Sequence, residues 1–60
     1  MLITDIKRKT GHTMIRATFK VDGVQTWGIK MLTRDAQHVY DRKGHITGAR
    51  GLQIVKQVFG

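Results

Sequence analysis

Arg16, Thr18 and Lys20 stand at alternate positions, and Thr26 and Lys30 lie on the next apolar-rich stretch. A period of two marks one face of a β-strand. Guanidinium and ammonium groups make charge-assisted contacts to phosphates or guanine edges, and short hydroxyls add hydrogen bonds. The chemistry on offer is therefore recognition of a polyanion. A denser run, Lys7-Arg8-Lys9, suits a clamp on a phosphate backbone, although charge runs of this kind are as often simply solvated. Further on, Gly48-Ala49-Arg50-Gly51 brackets a cation with two glycines. Glycines allow the backbone to approach an anion, and a following helix would direct its N–H groups at it. A flexible turn has the same composition.

Catalytic chemistry has few carriers. The chain contains no serine and no cysteine, which removes the commonest nucleophiles, disulfides and thiolate metal sites together. The four Asp are isolated: Asp22 belongs to a turn and Asp35 to an expected helix start. His38 and Asp41 stand at i, i+3, a spacing more typical of a surface contact than of a general base. His12, His38 and His45 lack metal-ligand spacing. No enzyme, cofactor or metal site is expected.

The composition points the same way as the motifs. Eleven Lys and Arg against four Asp give a formal charge of +7 over 60 residues. Self-repulsion at that density disfavours compaction, and a polyanionic partner relieves it. The cations are spread along a chain that is 40% hydrophobic, so they belong to a folded surface and not to a disordered tail. Residues 1–60 read as a single small basic domain. No apolar run approaches a membrane span, and Met1-Leu2-Ile3-Thr4-Asp5 has no leader pattern. Cytoplasm, with nucleoid association as a variant, is the expected location, and no membrane partner is expected.

The elements that must position these side chains begin with a β-hairpin over Thr13 to Met31, turning at Val21-Asp22-Gly23. A two-residue loop at Asp22-Gly23 pairs Phe19 with Thr26 and sets Trp27 and Ile29 opposite Phe19, leaving neither face clean. A three-residue loop with Gly23 as a bulge gathers Ile15, Ala17, Phe19, Trp27, Ile29 and Met31 on one face. Arg16, Thr18, Lys20, Thr26 and Lys30 then share the other. Burial selects the second register, because a one-residue slip exchanges the faces. In it Trp27 belongs to the core; the alternative role for this residue is a platform on which a base stacks.

Leu2 to Arg8 reads as a third strand with Leu2, Thr4 and Ile6 inward. Thr33 is a candidate N-cap for a helix carrying Ala36, Val39 and Tyr40 on one stripe, Arg42 and Lys43 in its last turn and Gly44 past its end. Gly48 to Phe59 reads as a helix with Ala49, Leu52, Val55 and Phe59 on one face, or as a strand. The expected fold is α+β, a three-stranded antiparallel sheet packed on one or two C-terminal helices. If the last segment is a strand, Val39 to Thr47 becomes a hairpin and the alternative is a small all-β SH3-like or OB-like barrel.

The run Ala17-Thr18-Phe19-Lys20-Val21-Asp22-Gly23 followed by Thr33-Arg34-Asp35-Ala36, within Gly11 to Tyr40, resembles the sheet-plus-helix domains of the AP2 type and the arm-binding domains of tyrosine integrases. That resemblance implies a sheet whose outer face enters the DNA major groove, with Arg16, Thr18, Lys20, Thr26 and Lys30 facing the groove. The chain departs from the family in having Thr13-Met14 where an aromatic is usual. Gly48 to Gly51 resembles the backbone-gripping loop of KH domains, which would assign Arg50 to an RNA contact.

The reading is a nucleic-acid-binding module, DNA first and RNA second, in an accessory role of a phage or plasmid. Its candidate contacts are Lys7, Arg8, Lys9, Arg16, Thr18, Lys20, Thr26, Lys30 and Arg50. The alternative is a small inhibitor or adaptor docking on an acidic protein surface. One short helix cannot cover the whole inner face, so the last segment is expected to fold back over it or to pair with a second copy in a homodimer.

Overall fold

The computed structural model describes residues 1–60. In chain order it contains β1 (Ile3–Thr10), β2 (Met14–Val21), β3 (Val24–Met31), β4 (Ala36–Asp41), β5 (Gly44–His45) and α1 (Gly48–Phe59). The strands form one antiparallel meander in the order β1-β2-β3-β4-β5, and α1 lies across one face. The class is α+β with an antiparallel sheet, as expected; of the one or two C-terminal helices expected there is one, and the sheet has five strands instead of three. With β1 and β5 at opposite edges it is open and does not close into an SH3-like or OB-like barrel. No helix is long and apolar enough to cross a membrane.

The β2–β3 hairpin turns on Asp22-Gly23 alone, with φ of 50° and 82°, and pairs Val21 with Val24. Asp tolerates positive φ better than most residues and Gly adopts it freely, so Asp-Gly supports the two-residue turn whose twist matches the strands. This corrects the three-residue register expected above. Phe19 pairs with Thr26 and Ala17 with Gly28, while Thr18 pairs with Trp27 and Arg16 with Ile29. Small residues decide the matter. Ala17 and Gly28 make a trough, and a Cβ on Gly28 would lie 2.9 Å from Val39 Cγ1 and 3.2 Å from Phe59 Cε2. A tryptophan on that face would exclude the helix. Thr26 is 1% exposed, and its hydroxyl donates to the Val24 carbonyl at 2.9 Å, so its burial leaves no polar group unpaired.

Ala36–Asp41 is a strand, not the helix expected after Thr33. Three apolar residues make too thin a stripe to hold a short helix, whereas Val39 and Tyr40 favour a pleated surface. Residues 36–40 pair with Met31 to Trp27, and Val39 alone becomes fully buried among them. The next turn is closed by Asp41, whose Oδ1 accepts the Lys43 N–H at 2.8 Å. The Val39 to Thr47 hairpin thus forms together with the helix, not in place of it.

In β1, Thr4 pairs with Lys20 and Lys7 with Thr18. Three steps on β1 match two on β2, so one extra residue is bulged, with Asp5 at φ 55°. Ile3, opposite Val21, is the inward residue; Leu2 and Ile6 are exposed and Thr4 faces out.

Helix α1 begins after Thr47 and ends at Gly60, whose N–H donates to the Lys56 carbonyl. It buries Gly51, Ile54 and Val58, a stripe at i, i+3, i+7. These meet Ala17, Phe19, Val21, Val39 and Ile46, with Ile3, Val55 and Phe59 at the margin. Ala49 and Leu52, expected inward, are exposed. The helix covers its own sheet, which is the fold-back solution for the inner face.

Candidate functional site

The face that α1 leaves open is organised by two cross-strand rows. Pairing across all five strands aligns Lys7, Thr18, Trp27, Tyr40 and His45. The adjacent row is Lys9, Arg16, Ile29 and His38. Directly paired residues share a face, so cations gather on β1 and β2 and aromatic rings on β3 to β5. Lys20 lies beyond Thr18, opposite Gln25.

The bulge in β1 is what completes the basic half. Without the extra residue, Ile6 would oppose Thr18, and Lys7 and Lys9 would turn toward the helix. With it, both lysines face out and Arg8 turns in. Lys7, Lys9, Arg16, Thr18 and Lys20 are all exposed. A shallow depression of about 250 Å³ between the two strands is lined by Lys7, Arg8, Lys9, Arg16, Ala17 and Thr18. The acid nearest this region is Asp5, 3.6 Å from Lys20 Nζ, and both side chains are well exposed. The other three carboxylates serve turns: Asp22 accepts the Leu2 N–H, Asp35 the Gln37 side-chain amide and Asp41 the Lys43 N–H. Positive potential on β1 and β2 is thus barely offset.

The aromatic half is continuous. Trp27 and Tyr40 have centroids 6.2 Å apart and planes within 17° of parallel. Tyr40 and His45 are 5.2 Å apart, as are His38 and His45. Trp27 is 43% exposed.

Of the nine candidate contacts, Lys7, Lys9, Arg16, Thr18 and Lys20 come together on this face. Thr26 and Lys30 do not; the two-residue turn places them on the helix side, one buried and the other half-buried. Arg8 is also on that side, where its Nη1 donates to the Val58 carbonyl at 2.7 Å. Arg50 is exposed on α1, behind the sheet. Gly51 has a packing reason to be glycine, because a Cβ there would collide with the Ile46 carbonyl. Tyr40, His38 and His45 were missing from the candidates, and Trp27 entered only as the alternative stacking platform. The two-residue register would have revealed Trp27 beside Thr18; the other three depended on recognising β4.

No three potential metal-ligating side chains converge. A groove of about 280 Å³ where α1 meets the β4–β5 edge includes His38, His45, Leu52 and Val55 and carries no Lys, Arg or acid. No protein-family model matches the chain, and no curated protein or solved structure matches it.

Proposed function

We propose that this chain binds nucleic acid through the open face of its sheet, with DNA the first candidate and RNA the second. The observation that supports the reading most directly is the exposed quartet Lys7, Lys9, Arg16 and Lys20 on adjacent strands, with Asp5 the lone acid beside it. Phosphates seat over β1 and β2, where ammonium and guanidinium groups displace condensed counterions. Thr18, between Lys7 and Trp27, supplies a hydroxyl to phosphate or sugar. The helix packs on the core side of the sheet and leaves the face that bears these side chains open.

Titration of labelled oligonucleotides at several salt concentrations tests the reading. Log affinity falls linearly with log salt, and Lys7→Ala or Arg16→Ala each flattens the slope by about one unit while the fold persists. Wild-type affinity and slope in both variants would remove the sheet face from the proposal.

A further inference from the structure

We infer that the ligand of this face is an unpaired strand, whose bases lie on Trp27 and Tyr40 while its phosphates follow β1 and β2. The inference rests on the reading of the open face as a nucleic-acid interface and names the form of nucleic acid that fits it.

Three observations carry it. First, the rings stand outside the core, on the face the helix does not cover. Trp27 is 43% exposed on the face opposite the core, and leaving such a large apolar side chain in water forgoes burial worth roughly 25 cal/mol per Å². It stands in a contiguous aromatic patch, the kind of exposed surface that marks a binding site. Second, ring faces are useful to a base only when the base's own faces are free. In a duplex each face is covered by its neighbours, so a stacking platform selects unpaired bases and tolerates any sequence.

Third, the spacing suits an extended strand. Along β3, Trp27 and Ile29 are two residues apart, about 6.8 Å at a β-strand's rise. That is about twice the 3.4 Å rise per nucleotide of a stacked strand. Successive bases of a strand running along β3 therefore separate from each other and settle on successive rows, one over Trp27 and Tyr40 and the next over Ile29 and His38. Phosphates fall one or two strands away, over Thr18 with Lys7 and over Arg16 with Lys9. Cations and rings are on the correct sides of one another for a single backbone to serve both.

Trp27 is the chain's one tryptophan, so its fluorescence reports the site directly. The experiment compares an oligothymidylate and an oligouridylate of about 12 nucleotides, within the span of one small module, with a mixed-sequence duplex of equal length at matched ionic strength. At least one single strand binds about tenfold or more tighter than the duplex and quenches Trp27; which one is tighter distinguishes DNA from RNA. With a labelled oligonucleotide as the readout, Trp27→Ala weakens that binding at least about fivefold and leaves the salt slope unchanged in a chain that still unfolds cooperatively, and Trp27→Phe recovers much of the loss. Salt-dependent binding in which the duplex is equal or tighter, or in which Trp27→Ala is neutral, overturns the inference and leaves the proposed function standing. Absence of binding to all three probes overturns both.

Discussion

Arg8 donates from Nη1 to the carbonyl oxygen of Val58 at 2.7 Å, joining an edge strand to the last turn of the helix. Carbonyls at a helix C-terminus lack intrahelical partners and carry the negative end of the dipole, so a guanidinium there is doubly favourable. Arg8→Ala is expected to destabilise the fold by about 1–2 kcal/mol, read as a lower urea midpoint at unchanged slope. Its effect on nucleic-acid affinity is smaller than that of Lys7→Ala or Arg16→Ala. An unchanged midpoint would show that the bond contributes nothing.

The same bulge that turns Arg8 inward holds Asp5 at φ 55°, beside Lys20. Asn tolerates this backbone as well as Asp does, and an exposed ion pair contributes little to stability. Asp5→Asn should therefore leave the unfolding midpoint where it is, tighten oligonucleotide binding severalfold at low salt and steepen the salt dependence. Weaker binding in this variant would mean that Asp5 orients Lys20 for the ligand instead of competing for it.

Gly23 at φ 82° closes the two-residue turn. A β-branched residue is strained there, and Gly23→Val is expected to cost more than about 1 kcal/mol. Urea or thermal unfolding checks this; a neutral result would mean that the turn relaxes to another type, and the alignment of Thr18 with Trp27 would lose its basis.

Gly28 leaves room for the helix. Its missing side chain keeps clear of Val39, the His38 carbonyl and the Phe59 ring. Gly28→Val should destabilise by about 1–3 kcal/mol through overpacking. Phe59 is a side chain that can yield. Gly51→Ala should be no milder, because the obstacle there is the Ile46 backbone, which cannot swing aside. Wild-type stability in both variants would contradict the close approach of α1 to Gly28 on β3 and to the Ile46 backbone.

Alternation in β2 was legible in the residues, as was the place of the turn at Asp22-Gly23. The buried stripe of α1 was not, because Ala49 and Leu52 read as inward where Gly51, Ile54 and Val58 pack. The register between β2 and β3 was not legible either, because gathering large apolar residues on one face is the usual way to make a core. The protein instead uses Ala17, Thr26 and Gly28 to admit a helix and turns Trp27 and Ile29 outward. Propensity at Thr33 to Gly44 suggested a capped helix, yet pairing with β3 supplied what a three-residue stripe could not. The bulge at Asp5 has no local signature, since it is set by where Ile3 and Arg8 must reach. For the site, the basic half followed from strand periodicity in β2, while the aromatic half depended on tertiary pairing among β3, β4 and β5.

The open sheet face is tested most directly by mapping backbone and indole N–H shifts of the ¹⁵N-labelled chain during titration with an unlabelled oligothymidylate at low salt. The predicted result is a contiguous set of shifts at Lys7, Lys9, Arg16, Thr18, Trp27, Tyr40 and His45, with the exposed helix positions Arg50, Leu52 and Lys56 unmoved. Shifts centred on Gly48 to Gly51 and the outer side of α1, with the sheet face silent, would contradict it.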